Sequence, residues 1–139
     1  KITFSSDSTS ATTTADLSQA RGHLSAASDG STKGYMLGGA TGAAGNVKVA
    51  TTDKVTFSTD VTTATTTANL SIARYAHAAM SQGSVTAYLA GGSTGGTDVG
   101  DFVDSPEKFT FATDTQAAVT NAALSVSRVQ LAAISDVAL

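Results

Sequence analysis

Three arginines at a regular spacing are the residues of this sequence best suited to bind an anion. Arg21, Arg74 and Arg128 each lie four positions after a leucine. A guanidinium group binds a carboxylate or a phosphate through two parallel hydrogen bonds, so these residues could form a site for an anionic ligand. An arginine that recurs once per repeat also suits the internal hydrogen bonding of that repeat, and repeat position alone favours this structural role.

Histidines and acidic residues are the other groups that could perform chemistry. His23 and His77 are the only histidines, and the chain has no cysteine, so the sequence does not predict a zinc site. Four acidic residues lie within ten positions: Asp98, Asp101, Asp104 and Glu107. Calcium loops supply about six to eight oxygen ligands at a closer spacing, so we expect a solvated loop in which binding specificity could reside.

No arrangement of residues in the sequence predicts catalysis. Serine and threonine are too abundant for any one of them to stand out as a nucleophile. We find no nucleophile elbow, phosphate-binding loop or pair of acids suited to a cleft. We therefore expect a protein that is not an enzyme and that uses neither a metal ion nor another cofactor.

The composition excludes several classes of partner. The formal net charge is −3 and no run of basic residues exists, so we expect no binding to nucleic acid. No apolar run approaches the roughly 18 residues of a membrane span, so we expect no membrane insertion. The sequence starts at Lys1 without a visible signal peptide, and we expect it to be part of a longer chain.

The regular spacing of the arginines has its origin in an internal repeat. Three related stretches begin at Lys1, Lys54 and Lys108 and read KITFSSDSTSATTTADLSQAR, KVTFSTDVTTATTTANLSIAR and KFTFATDTQAAVTNAALSVSR. These starting positions are 53 and 54 residues apart, and the strings YMLGGATG and YLAGGSTG recur with the same period. We treat the chain as one domain with repeats at 1–53, 54–107 and, in part, 108–139.

Each repeat is predicted to contain four short β-strands. The segment KVTFS alternates, with Val55 and Phe57 on one face and polar residues on the other. We expect the threonine-rich segment TATTTANL to be extended, YAHAAMS to form the innermost strand and VTAYLAGG to complete the set. Threonine triplets and glycine pairs are unfavourable in a helix, so the helical alternative is poor.

The length of the repeat is typical of the blades of a β-propeller, whose four-stranded sheets stack around an axis. The glycine pairs at 38–39 and 91–92 end a strand where the backbone must turn sharply or approach a neighbour closely. Tyr35 and Tyr88 precede these pairs, and we expect their rings to pack between neighbouring blades.

The order of these motifs resembles that of kelch repeats. Kelch repeats contain a Tyr-x-x-Gly-Gly strand, an aromatic-x-x-Asp strand, a turn with leucine four residues before arginine, and Arg-x-x-His. Tyr88, Phe109, Arg74 and His77 match these positions, while the tryptophan that follows the aspartate in kelch repeats is missing. The resemblance implies an all-β, kelch-like β-propeller, or a segment of one, built from four-stranded blades with a repeat of about 53 residues.

The kelch resemblance also implies roles for single residues. In kelch domains the turn at the arginine lies on the rim that binds ligands, and a structural histidine occupies the position of His77. Together with the aromatic and acidic residues of nearby loops, this gives the candidate ligand-binding residues: Arg74, Tyr75, His77, Asp101 and Phe102. Galactose-oxidising kelch enzymes need a cysteine-modified tyrosine, which a chain without cysteine cannot supply.

The richness of the repeat in threonine, alanine and glycine is similar to repeats in tail-fibre and other virion proteins of marine bacteriophages. This resemblance implies a non-enzymatic structural or adhesive protein of a virion appendage, located on the virion or outside the cell. Its loops would be presented to a glycan or protein of the host surface. The alternative is a bacterial extracellular propeller that binds or modifies carbohydrate. An intracellular kelch adaptor ranks lower, because the charged fraction is only 14% and no partner domain is present.

The expected strands do not close a ring. We name the strands of a blade A to D, from the innermost to the outermost. The repeat then predicts eleven strands in the order C-D, A-B-C-D, A-B-C-D, A. Open sheet edges and an apolar blade face would remain exposed. We therefore expect either further residues in a longer propeller, or association with other virion subunits or with copies of the chain itself.

Overall fold

The computed structural model describes residues 2–3, 8–10, 13–42, 47–95 and 101–135, which form mainly β-strands, with a 3-10 turn at Thr66–Ala68. The strands are β1 (Ile2–Thr3), β2 (Ser8–Thr9), β3 (Ser25–Ser28), β4 (Lys33–Leu37), β5 (Ala40–Thr41), β6 (Val47–Lys48), β7 (Thr52–Thr56), β8 (Val61–Ala64), β9 (Ala78–Gln82), β10 (Thr86–Ala90), β11 (Glu107–Thr110) and β12 (Thr115–Ala118). The prediction of an all-β fold is confirmed.

Two four-stranded antiparallel sheets form most of the described structure. The first sheet has the order β3-β4-β7-β8 and the second sheet the order β9-β10-β11-β12, so each follows the chain from one edge to the other. Tyr35 is paired with Lys54 in the first sheet, and Tyr88 with Lys108 at the equivalent positions of the second. The prediction of four strands per repeat is therefore confirmed for both sheets. Two small hairpins, β1–β2 and β5–β6, complete the described strands, which form no closed ring.

The hydrophobic core lies between the two sheets, which stack face to face. The first sheet contributes Tyr35 and Leu37, and the second contributes Leu89, Phe109 and Phe111. The centroid of the Tyr35 ring lies 4.5 Å from that of Phe109 and 5.6 Å from that of Phe111. Such aromatic pairs contribute about 0.5–1.5 kcal/mol beyond the apolar area that they bury. The prediction that Tyr35 packs between neighbouring sheets is confirmed.

Strand alternation gives each sheet two different faces. In β10, Ala87 and Leu89 are fully buried against the first sheet, so Tyr88 between them lies on the opposite face, where it is half-buried. In β4, Tyr35 points at the second sheet, and Met36 therefore lies on the face that is turned away from it. Within the described residues, only the first of the two tyrosines is covered by a neighbouring sheet.

The glycine pairs lie where the backbones approach most closely. The four glycines at 38–39 and 91–92 have positive φ angles, between +57° and +109°. A Cβ atom on Gly38 would lie 2.9 Å from the carbonyl oxygen of Arg74, and one on Gly92 would lie 2.8 Å from that of Tyr75. Both the φ angle and the lack of space favour glycine, so the predicted role of these pairs is confirmed.

The inner strands of the two sheets lie side by side. Strand β3 packs against β9, and the backbone N–H of Ser28 donates to Oγ of Ser81 at 3.2 Å. One repeat later, the N–H of Ser81 donates to Oγ of Ser135 at 3.0 Å. Residues 131–135 lie at the position of an inner strand but do not form a β-strand. An inner strand such as β3 pairs with the next strand of its sheet, here β4, and no described strand pairs with residues 131–135. The predicted third inner strand is therefore wrong for these residues, and the hairpin β5–β6 was not predicted.

Two other strand predictions are wrong in extent. In TATTTANL the strand ends at Ala64, because the 3-10 turn that follows buries Ala68, whose carbonyl accepts a hydrogen bond from Oγ1 of Thr52 at 2.8 Å. In YAHAAMS the strand begins only at Ala78. Ala76 has a φ angle of +53°, and its N–H donates to the carbonyl of His23 instead of joining a ladder.

Candidate functional site

Tyr75 lies at the end of the sheets where a loop of the second sheet folds back. Its N–H donates to the carbonyl of Ser93 at 3.1 Å, and its carbonyl accepts from the N–H of Ser93 at 3.0 Å. Ser93 also forms a β-bridge with Phe102, and the N–H of Thr94 donates to the carbonyl of Asp101 at 2.9 Å. Three of the predicted site residues, Tyr75, Asp101 and Phe102, therefore lie on adjoining segments, and all three are half-buried.

Two further residues surround the ring of Tyr75. The Nζ atom of Lys48, in β6, lies 5.1 Å from the centroid of the ring, within the range of a cation–π interaction. The ring of His23 meets it edge to face, with 5.9 Å between the centroids. No sequence pattern joined Lys48 to this site, because none predicted the β5–β6 hairpin. We call these five residues the Tyr75 rim: His23, Lys48, Tyr75, Asp101 and Phe102.

Arg74 is adjacent to Tyr75 in the sequence but is fully buried. Its Nη1 atom donates to the carbonyls of Gly91 at 3.1 Å and Ser105 at 2.8 Å, and Nη2 donates to Oε1 of Glu107 at 2.6 Å. Burial lowers the pKa of Arg74, and the charge and hydrogen bond of Glu107 oppose this decrease. The structure therefore places Arg74 in the interior, in the structural role that its recurrence favoured, rather than on the ligand-binding rim.

The same ion pair recurs one repeat earlier. Nη1 of Arg21 donates to Oδ2 of Asp53 at 2.9 Å, and both side chains are buried. The Nε atom of Arg21 donates to the carbonyl of Gly38 at 2.8 Å. Arg128, the third arginine, is exposed, and its Nε atom donates to the carbonyl of Val126 at 3.2 Å. Two of the three arginines therefore lie just before a four-stranded sheet in the chain and pair with an acidic residue of that sheet.

Glu107 was expected in a solvated acidic loop, and this prediction is wrong. The residue is 1% exposed in β11, where it balances the charge of Arg74. A signal for this role was present, because Asp53 and Glu107 each directly precede the lysine that opens a repeat. Asp104 of the same acidic group is exposed as predicted, and Asp98 lies outside the described residues.

His77 also lies in the interior rather than on the rim. Its side chain is 5% exposed, and a Cβ atom on Gly38 would lie 3.0 Å from its Cε1 atom. Burial lowers the pKa of His77 to about 4, and the charge of Arg74 adds to this effect. His77 is therefore neutral near pH 7 and fills the contact between the two sheets.

Asp114 forms a charged cluster that the sequence did not predict. Its Oδ1 atom accepts hydrogen bonds from the hydroxyl of Tyr35 at 2.6 Å and from Nζ of Lys33 at 3.2 Å, and Oδ2 accepts from Nζ of Lys54 at 2.8 Å. Partial burial acts to raise the pKa of Asp114, but the hydrogen bonds from Lys54, Tyr35 and Lys33 lower it overall. These bonds join the first sheet to the turn between β11 and β12.

Neither a metal site nor a membrane-spanning helix is found in the part of the chain that the structure describes. Its residues include no group of three or more side chains suited to bind a metal ion. None of its helical segments is long and apolar enough to cross a membrane. No protein-family model matches the chain, and no curated protein matches it significantly. The kelch and virion resemblances therefore rest on the sequence motifs alone.

Proposed function

We propose that this chain is a non-enzymatic structural and adhesive segment of a kelch-like propeller in a virion appendage, and that the Tyr75 rim binds a glycan or protein of a host surface. The observation that carries the proposal is the composition of the rim. A half-buried aromatic ring lies between a cation and a second aromatic ring, at the loop end of two stacked sheets. Aromatic rings with polar neighbours are common anchors in binding surfaces.

The interior of the molecule supports a structural role. Its buried charges are paired with one another, as in the contact of Arg74 with Glu107 and of Arg21 with Asp53. Hydrogen bonds at the repeat period, such as those between Ser28, Ser81 and Ser135, join one repeat to the next. Stacked four-stranded sheets with neighbouring inner strands are the arrangement that a propeller requires, which is why we propose this fold for the complete assembly.

Binding of the intact chain to an array of surface glycans, and to cells of candidate hosts, tests the adhesive role. We expect Tyr75→Ala to weaken binding about tenfold, because a buried aromatic anchor commonly contributes more than about 1 kcal/mol. The backbone bonds of Tyr75 with Ser93 do not involve its ring, so the variant should keep its fold. Val85→Ala is a suitable control, because Val85 is 65% exposed in the β9–β10 turn at the opposite end of the second sheet.

Failure of the intact chain to bind any glycan or cell surface would contradict the adhesive role. Equal binding by the Tyr75→Ala and Val85→Ala variants would show that the rim is not the binding site. Electron microscopy with antibodies against the chain separates the two biological settings. Label on the appendages of phage particles would support the virion role, and label on bacterial surfaces would support the extracellular carbohydrate-binding alternative.

A further inference from the structure

The face of the first sheet that is turned away from the second sheet is apolar, and neither of the two four-stranded sheets described covers it. A cavity of about 430 Å³ opens on this face and is lined in part by Gly34, Met36, Val55 and Phe57. The ring of Phe57 covers Gly34, since a Cβ atom on that glycine would lie 3.1 Å from it, yet the side chain remains 42% exposed. We call this surface the Phe57 face.

The second sheet has an equivalent face, and that face is covered by the first sheet. Residues 34, 36, 55 and 57 occupy the repeat positions of 87, 89, 109 and 111 in the second sheet. Those four residues are the surface on which Tyr35 packs, and Phe111, the counterpart of Phe57, is only 3% exposed. The Phe57 face is therefore a second copy of the surface that receives a tyrosine in the core.

The chain also presents a second copy of the tyrosine surface. Tyr88 occupies the repeat position of Tyr35, on the face of the second sheet that is turned away from the first. Met80 lies directly opposite Tyr88 in the neighbouring strand and is 39% exposed. Lys108, paired with Tyr88 in the sheet, occupies the position of Lys54. We call this surface the Tyr88 face.

We propose that the Phe57 face is the docking site for the Tyr88 face of a second copy of this chain. The ring of Tyr88 enters the cavity beside Phe57 as the ring of Tyr35 lies beside Phe111, and Lys108 approaches Asp60 as Lys54 approaches Asp114. The second copy is the occupant because both halves of the core interface are repeated on the two outer faces of one chain. The new contact continues the stacking of sheets already present within the molecule.

The geometry of this contact fixes the type of assembly. The two faces differ, so each copy offers one of each and the contact is of the head-to-tail type, which forms rings or open stacks. By repeat position, β1 and β2 of the first copy lie where β11 and β12 of the docked sheet must lie. Residues 128–135 of the second copy, which contact Gly91 and Ser81, lie where residues 21–28 of the first copy must lie. Docking therefore requires both segments to move aside. An isolated two-stranded hairpin is only marginally stable and can yield this position.

Sedimentation of the intact chain and of face variants tests the proposal. We expect the unchanged chain to associate with increasing concentration, and Phe57→Ser and Tyr88→Ser each to weaken association about tenfold or more. The matched control is Ile72→Ser, because Ile72 is also 42% exposed but lies outside both faces. Phe57→Ser retains an intact Tyr88 face, and Tyr88→Ser an intact Phe57 face. An equal mixture of the two variants should therefore form heterodimers that do not grow further.

The outcomes are decisive for this contact. Heterodimers from the mixture support it, and Lys108→Glu gives a second variant of the Tyr88 face should Tyr88→Ser fail to fold. A monomeric unchanged chain at every concentration would overturn the proposal. A mixture that remains monomeric, or an Ile72→Ser variant that dissociates to the same degree, would also overturn it. Because the Tyr75 rim belongs to neither face, glycan binding can persist or fail independently of this result.

Discussion

Replacement of Gly38 by alanine tests whether the glycine pairs allow the two sheets to approach each other. The residue has a φ angle of +57°, and a new Cβ atom would lie 2.7 Å from Cδ1 of Leu70 and 2.9 Å from the carbonyl oxygen of Arg74. The leucine methyl group can rotate away. The carbonyl oxygen cannot move freely, because it accepts a hydrogen bond from the N–H of Gly39 at 2.9 Å.

The expected loss of stability has two parts. An alanine in the left-handed region costs about 1 kcal/mol, of which about 0.5 kcal/mol is offset by the reduced freedom of the unfolded chain. Overpacking against a fixed backbone atom adds about 1–3 kcal/mol. We therefore expect Gly38→Ala to lower the free energy of unfolding by about 2–3 kcal/mol, which corresponds to a decrease in Tm of roughly 5–10 °C for a chain of this size.

Gly83 provides a control that isolates the steric part. Its φ angle is +53°, close to that of Gly38, but a Cβ atom placed on it would meet nothing within 4 Å. Gly83→Ala should therefore lower the free energy of unfolding by only about 0.5 kcal/mol. Urea denaturation followed by circular dichroism measures both variants. Equal losses in the two variants would refute the argument that close approach, rather than φ alone, requires glycine at position 38.

Three further predictions concern titratable groups that are buried or partly buried, and they can be measured in the same way. The pKa of His77 in the folded chain is about 4, below the usual 6.5. The stability that depends on neutral His77 is therefore fully present above pH 6.5 and is lost as the pH falls towards 4. The free energy of unfolding should fall by about 2 kcal/mol between pH 7 and pH 5, and His77→Gln should remove most of this slope, whereas an unchanged slope would contradict the burial of the ring. Glu107→Gln should cost about 3–5 kcal/mol because it leaves the guanidinium of Arg74 buried without a counter-charge, while Asp104→Asn at an exposed position should cost less than about 0.5 kcal/mol. Asp114→Asn should lower the free energy of unfolding by about 1–2 kcal/mol, because it weakens the hydrogen bonds from Tyr35 and Lys54. This difference should become smaller in acid, below the lowered pKa of Asp114, where the carboxylate of the unchanged chain is itself protonated. A difference that grows in acid would contradict this assignment.

The features of the fold that could be predicted from the sequence depend on residues close together in the chain. Alternation and turn residues indicated four strands per repeat, and the period located equivalent residues such as Tyr35 and Tyr88. The glycine pairs were correctly assigned to close backbone contacts, because a glycine that recurs at the end of a strand is typical of a position where a Cβ atom has no room. These inferences need only local geometry and comparison of one repeat with the next.

The features that were missed depend on contacts between distant residues. The acid that pairs with Arg74 is 33 residues away in the sequence, and only the formation of the sheet brings the two together. Asp114 is 79 residues from Tyr35, so no local pattern joins these groups. Arg74 and His77, which were candidate ligand-binding residues on the sequence, are buried, since the direction in which a turn residue points depends on how the sheets stack.

The Tyr75 rim shows the same limit for the candidate site. Tyr75, Asp101 and Phe102 could be selected from the sequence as residues of loops at one end of the blades. Lys48 could not be selected, because it reaches the ring of Tyr75 from the short β5–β6 hairpin, whose strands have only two residues each. Pairing of such short strands is stabilised by their surroundings rather than by a sequence pattern of their own.

The central claim is that consecutive repeats stack as sheets with a shared core, and contacts between aromatic rings test it most directly. Nuclear Overhauser spectra of a sample with labelled tyrosine and phenylalanine should show cross-peaks from the ring of Tyr35 to those of Phe109 and Phe111, whose centroids lie 4.5 and 5.6 Å away. Phe111→Leu should remove one set of these peaks and so confirm the assignment. A folded chain in which the ring of Tyr35 contacts only residues of its own sheet would contradict the stacking of the repeats.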